Sequence, residues 1–124
     1  MAERDIQAAI LAAFGARPYL RLWRQQVGAT PVGTGPTRRF LSFGLPGMAD
    51  LSGILRCGRR VEVEVKAPEG RLRPEQQRWA DMVQAYGGVY TVARSTDDVD
   101  RMLKKHVLAC ATCAAAQPYR PPEA

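Results

Sequence analysis

Five residues, Val61-Glu62-Val63-Glu64-Val65, limit what this chain can fold into more than any other stretch. Valines and carboxylates alternate strictly, and a period of two belongs to a strand with one apolar face and one polar face. Lys66 follows, so Glu62, Glu64 and Lys66 share the polar face. Upstream, Leu51–Arg56 is also strand-like, and Cys57-Gly58-Arg59-Arg60 supplies a short glycine-containing turn. A hairpin folded about Gly58 sets Asp50 opposite Glu64–Lys66, closing a gap of about a dozen residues to side-chain contact. Two carboxylates and a lysine then meet at one end of the hairpin.

The rest of the chain reads as elements packed around that hairpin. Glu3–Phe14 carries Ile6, Ala9, Ile10, Ala13 and Phe14 at helical spacing. Glu3 falls in the first turn, where a carboxylate complements the helix dipole, and that capping role competes with any functional one. Gly15 to Pro18 breaks the helix, and Tyr19–Val27 alternates as a strand. Residues 28–49 are rich in glycine and proline and read as loop, interrupted by a short strand at Arg39–Phe43. No Gly-Lys-Ser/Thr follows those glycines, which excludes a phosphate-binding P-loop. Pro74 suits the first position of a helix over Glu75–Tyr86, closed by Gly87-Gly88. Val89–Ala93 reads as a buried strand. Ser95 and Asp98 form a capping-box-like start for a last helix, whose stripe runs from Val99 through His106 to Cys110. The order α-β-β-β-α-β-α describes an α/β domain, a small mixed β-sheet flanked by helices. One domain over residues 1–116 is expected, followed by a flexible Pro-rich tail at 117–124.

Charge narrows the partner. A formal net charge of +6 favours an anion, nucleic acid before membrane, because no lipidation signal or long amphipathic basic helix accompanies it, and no apolar run is long enough to cross a bilayer. A basic but otherwise ordinary surface is the alternative. The N-terminus MAERDIQ lacks the apolar segment of a signal peptide, and three cysteines without framework spacing fit a reducing cytosol; a cytoplasmic protein is expected. Arg21 and Arg24 flank Trp23, and Arg38 and Arg39 make the Gly/Pro-rich segment basic. These side chains could hold a phosphate backbone, although a solvated arginine face fits Arg21 and Arg24 equally well. Lysine is scarce: of 18 basic residues only Lys66, Lys104 and Lys105 are lysine, so Lys66 hints at a need for a compact ammonium.

His106, Cys110 and Cys113 fall as H-x3-C-x2-C, and Cys57 is the remaining cysteine. Zinc wants a fourth ligand, and these positions continue an apolar stripe, so core packing is expected and no zinc. The hairpin carboxylates differ. Glu62, Glu64 and Lys66 could be a solvated strand face with cross-strand ion pairs. Converging carboxylates repel, however, unless a positive group lies between them. Mg²⁺ accepts a few carboxylate oxygens plus water and phosphate oxygens, and a lysine on the same face can orient or help deprotonate the attacking water.

Four motifs in sequence order carry a resemblance. They are the helical glutamate in AERDIQAAI, then GLPGMADLSGIL around Asp50, the strand VEVEVK ending in Glu64-Val65-Lys66, and RLRPEQQRWADMV with Gln76 at a Q-x-x-W position. The segment GGVYTVARSTDDV completes them. Together they resemble the VRR-NUC domain of the PD-(D/E)XK nuclease superfamily, in its compact stand-alone form from phages and bacteria, over residues 3 to 108. Ala49 stands where the superfamily's name expects proline, and Arg73 replaces a small polar residue; neither removes a catalytic group.

The resemblance implies a restriction-endonuclease-like core and metal-dependent hydrolysis of DNA phosphodiesters. Asp50, Glu64 and the backbone carbonyl of Val65 would ligate Mg²⁺ or Mn²⁺, and Lys66 would position water and stabilise the pentavalent phosphate. Glu3 would complete the site directly or through a water. Gln76, or Gln77 if the helix is rotated, would hydrogen-bond the site or the DNA. Arg73 joins Arg21, Arg24, Arg38 and Arg39 as a candidate for the DNA backbone. Small members of the family act as homodimers on branched DNA such as four-way junctions, so DNA and a second copy are the expected partners.

Overall fold

In the computed structural model, which describes residues 2–26 and 28–118, the elements are α1 (Glu3–Phe14), β1 (Ala16–Arg17), β2 (Leu20–Arg24), β3 (Gly28–Val32), β4 (Arg39–Phe43), β5 (Leu51–Leu55), β6 (Arg60–Val65), α2 (Pro74–Ala85), β7 (Val89–Ala93), α3 (Thr96–Leu108) and α4 (Ala111–Ala114). Five strands form a mixed sheet in the order β1-β2-β5-β6-β7, and β3 and β4 form a separate two-stranded ribbon. The expected hairpin is present: β5 and β6 pair antiparallel with Leu51 opposite Val63 and Ile54 opposite Arg60. Gly58 closes the turn at φ +94°, a conformation that glycine adopts without a Cβ penalty, and its N–H donates to the Leu55 carbonyl. β7 runs parallel to β6, placing Tyr90 beside Glu62 and Val92 beside Glu64. Helix α2 is the crossover between these two strands, as a parallel pair requires.

The alternation in β6 sorts its side chains between two layers. Val61, Val63 and Val65 are fully buried in one apolar cluster with Ile6 and Ile10 of α1 and Val99 and Leu103 of α3. Helix α2 covers the opposite face, packing on β7 and burying Gln76, Ala80 and Val83. The sheet therefore lies between α1 and α3 on one side and α2 on the other.

Several expectations need correction. The strand read over Tyr19–Val27 is shorter, Leu20–Arg24, and is preceded by the two-residue β1; Val27 lies outside the described residues. The segment read as loop contains a second strand, β3, which pairs with β4 so that Pro31 faces Phe40. A two-stranded ribbon leaves each strand an outer edge without a ladder partner, which is where proline is tolerated. Ser95 occupies the N-cap of α3 without a side-chain cap bond; instead Asp98 Oδ2 accepts the Arg94 N–H at 2.8 Å. The last helix does not run on through Cys110. α3 stops at Leu108, and Cys110 is the N-cap of α4, so His106, Cys110 and Cys113 do not form one helical stripe. Of the expected tail, Gln117 is tied by its carbonyl to Arg56 Nη1, and residues 119–124 lie outside the described residues.

Candidate active site

Asp50 immediately precedes β5, on a loop pressed against the start of α2. Gly47 makes that approach feasible: its φ is +86°, and a Cβ there would overlap the Glu75 carbonyl of α2. The hairpin register brings Asp50 against the end of β6, as the sequence implied. Its carboxylate Oδ2 accepts the Val65 N–H at 2.9 Å, and its own N–H donates to Glu64 Oε2 at 3.2 Å. Gln76, in the first turn of α2, reaches back across the sheet. Its Nε2 donates to Glu64 Oε1 at 3.0 Å, while its Oε1 accepts the Arg73 N–H at 2.9 Å and so caps the helix. Gln76 is therefore fixed at both ends of its amide, and it fixes Glu64. Gln77 instead turns outward to Asp81.

Electrostatics separates Glu64 from an ordinary strand residue. Its side chain is buried, which raises its pKa, and the Asp50 charge raises it further. Lys66 Nζ, 3.7 Å from Glu64 Oε1, pulls the other way, yet the carboxyl is still pushed up to about 8. The shift favours the protonated form of Glu64 near neutral pH. A divalent cation bound by Asp50 and Glu64 would take that proton's place, and an all-oxygen donor set suits hard ions such as Mg²⁺ or Mn²⁺.

The expected residues do not all converge. Glu3 lies at the rim, where its Oε1 accepts the Ala67 N–H at 3.1 Å, one residue beyond Lys66. Its carboxylate does not come within 4.8 Å of those of Asp50 and Glu64 as a set. Arg24 shares a cleft with Asp50, lined also by Gln7, Gln25 and residues 28–30 of β3. Arg21 is exposed on β2. Arg38 stacks over Phe40, 5.7 Å from the ring centre, on the ribbon that Arg39 also belongs to. Arg73 pairs with Glu75 at the surface, 3.3 Å apart.

Glu62 departs most from the reading of a solvated strand face with cross-strand ion pairs. Arg60 does pair with it, Nε to Oε1 at 2.7 Å, but the Glu62 side chain is wholly buried, and Arg59 bonds the Gly87 carbonyl. Burial raises the Glu62 pKa, opposed by Arg60. The Trp79 indole N–H also favours the charged form, without reaching good hydrogen-bond geometry. Gln25 went unnoticed in the sequence. Its Nε2 donates to the Ala49 carbonyl at 3.1 Å and to Glu62 Oε2 at 3.4 Å, linking the Asp50 loop to this second carboxylate. Tyr90 was missed too. Among the described residues its buried hydroxyl has no hydrogen-bond partner, and burial together with the charges of Glu64, Glu62 and Asp50 raises its pKa. Only the parallel placement of β7 beside β6 reveals Tyr90, whereas the same-face position of Glu62 was already visible in the alternation.

The model of the VRR-NUC domain matches residues 3–97, from Glu3 to the first turn of α3. The chain belongs to the VRR-NUC family. Every site residue described above falls inside the match. No curated protein is similar enough to the chain to be matched. A VRR-NUC domain is a nuclease domain, so the chain is a hydrolase by family, with DNA as the indicated substrate. Among the described residues no helix is long and apolar enough to cross a membrane.

Proposed function

We propose that this VRR-NUC chain is a Mg²⁺- or Mn²⁺-dependent endodeoxyribonuclease, selective for branched DNA and acting as a cytoplasmic homodimer. The observation that carries the metal dependence is the contact of half-buried Asp50 with buried Glu64, where burial and the Asp50 charge raise the Glu64 pKa and a divalent cation would relieve both. Asp50, Glu64 and the Val65 carbonyl would hold the ion. When bound, the ion acidifies water and offsets charge developing on phosphorus. Lys66 stands beside Glu64, where its ammonium can orient the attacking water and meet a phosphate oxygen. Gln76 keeps the Glu64 carboxylate aimed. Glu3, whose Oε1 accepts the Ala67 N–H, would act through water rather than by direct contact.

Support for branched DNA comes from the family resemblance and from the ribbon. β3 rises from the rim of the Asp50 cleft, and its partner β4 presents Arg39 with exposed Phe40 and Leu41. Cations beside apolar side chains suit a backbone next to unstacked bases. Leu45 is also exposed, and exposed apolar side chains of this kind are what a second copy could cover. A two-fold dimer would match the approximate two-fold symmetry of a four-way junction and place two sites for paired cuts.

The deciding experiment compares duplex, flap, splayed and four-way substrates at equal salt, with Mg²⁺ or Mn²⁺, alongside light scattering for mass. Selective cutting of branched forms by a dimer is expected. Equal cutting of all forms would favour a nonspecific DNase of the same fold, and binding without cleavage of any form would sink the catalytic reading.

A further inference from the structure

The chain has three cysteines, and the fold brings all three to one point. Cys57 stands in the β5–β6 turn just before Gly58, Cys110 caps α4, and Cys113 lies inside α4. Their sulfurs lie within 4.8 Å of one another, and none is in a disulfide. A tetrahedral ion with Zn–S bonds of about 2.3 Å holds its sulfurs about 3.8 Å apart, so closing on an ion needs shifts of roughly 1 Å. Cys110 and Cys113 have the C-x2-C spacing of zinc knuckles, and the third sulfur arrives from a Cys-Gly turn distant in sequence. Core packing accounts for Cys113, which is buried in the apolar cluster, but not for Cys57, which is exposed and still meets it.

This cluster is separate from the nuclease carboxylates. Asp50 and Cys57 flank opposite ends of β5, and five strand residues at about 3.4 Å each put roughly 17 Å between those ends. The donors differ in kind as well: soft thiolates select zinc-like ions, whereas the carboxylates select hard ones.

We propose that Cys57, Cys110 and Cys113 form a three-thiolate site for one zinc ion, with water at the fourth position. Such a site fastens α4 to the hairpin turn. Arg56, the neighbour of Cys57, already makes a weaker tie in the same direction through the Gln117 carbonyl.

The test titrates the reduced, metal-free full chain with Co²⁺, whose thiolate complexes absorb in the near ultraviolet by charge transfer. The expected result is a band that saturates at one Co²⁺ per chain and bleaches when Zn²⁺ is added. It should persist in the double variant Asp50→Ala/Glu64→Gln, which separates it from the carboxylate site. Cys57→Ser, at an exposed position, should keep the circular dichroism of the parent and lose the band. Zn²⁺ should raise the thermal midpoint of the parent and leave that of Cys57→Ser unmoved. Absence of a charge-transfer band in the reduced chain, or an undiminished band in Cys57→Ser, overturns the three-thiolate site.

Discussion

The two faces of the central sheet come from one alternating strand, and they differ in what their burial does. On one face Val61, Val63 and Val65 are as deeply buried as side chains can be, and each contributes about 1.5–3 kcal/mol by leaving water. On the other face Glu62 and Glu64 are nearly as buried, at 0% and 3% exposure, and withdrawing an ionised carboxylate from water costs several kcal/mol unless it is paired. A contrast within the polar face is sharper still. Glu62 is matched by Arg60 at 2.7 Å and by Gln25, whereas Glu64 faces a second carboxylate, with Lys66 a full 3.7 Å away. One buried acid has a cation in close contact; the other has its hydrogen bonds but faces a second carboxylate. A buried carboxyl with a perturbed pKa, retained at the end of a hairpin, is what a binding or catalytic site looks like in energetic terms.

Substitutions on each face should therefore separate activity from stability. The largest effect is expected from Asp50→Ala. Cleavage should fall to background while the thermal midpoint changes little, because relief of the repulsion felt by Glu64 offsets the lost acceptor of the Val65 N–H. A midpoint that drops steeply would mean that Asp50 is chiefly structural, and the contrast between the faces would fail. Ile10→Ala tests the opposite face. Ile10 is fully buried on α1, and truncation should cost about 2–5 kcal/mol by denaturant unfolding, with cleavage per folded molecule retained.

Gln76→Ala should fall between these two. Gln76 touches Glu64 and the helix cap but holds no ion in this proposal, so it acts by positioning. Removing groups that orient metal ligands costs roughly 10–100-fold in metal affinity or activity. Loss should appear mainly as a higher Mg²⁺ concentration for half-maximal rate, and excess Mg²⁺ should recover most of it. A rate loss that no Mg²⁺ concentration recovers would place Gln76 in direct contact with DNA instead.

The features that were legible in the sequence share a cause: they are local. Strict alternation over Val61–Val65 and a glycine at position 58 fix the hairpin, and the hairpin fixes Asp50 against Glu64. Pro74 and Gly87 delimit α2, so the placement of Gln76 in its first turn followed. Features that depend on distant packing stayed hidden. The burial of Glu62 requires Trp79 from α2 and Gln25 from beyond β2. Tyr90 becomes a neighbour of the carboxylates only because β7 is parallel to β6. Strand β3 was masked by Pro31 and the surrounding glycines, which a ribbon edge tolerates. The break between α3 and α4 has no proline or glycine to announce it, and so the meeting of Cys57 with Cys110 and Cys113 had no local signal either.

A dependence on pH is the most direct reading of Glu64. Its carboxyl titrates at about 8 in the folded chain against an ordinary value of 4.5, so between those limits the folded state binds more protons than the unfolded. Stability contributed by this group is full below about pH 4.5 and is lost as pH rises through about 8. His106 works in the other sense, since burial and its neighbours Arg59 and Lys105 lower its pKa and favour folding as pH rises through its range. Comparing the parent with Glu64→Gln cancels that opposing contribution. Measured without divalent ions, the midpoint of the parent should fall relative to Glu64→Gln between pH 5 and pH 8, and Mg²⁺ should close the gap at pH 8 only in the parent. Parallel pH profiles would mean that Glu64 is already ionised at neutral pH, and the distinction drawn between Glu62 and Glu64 would disappear.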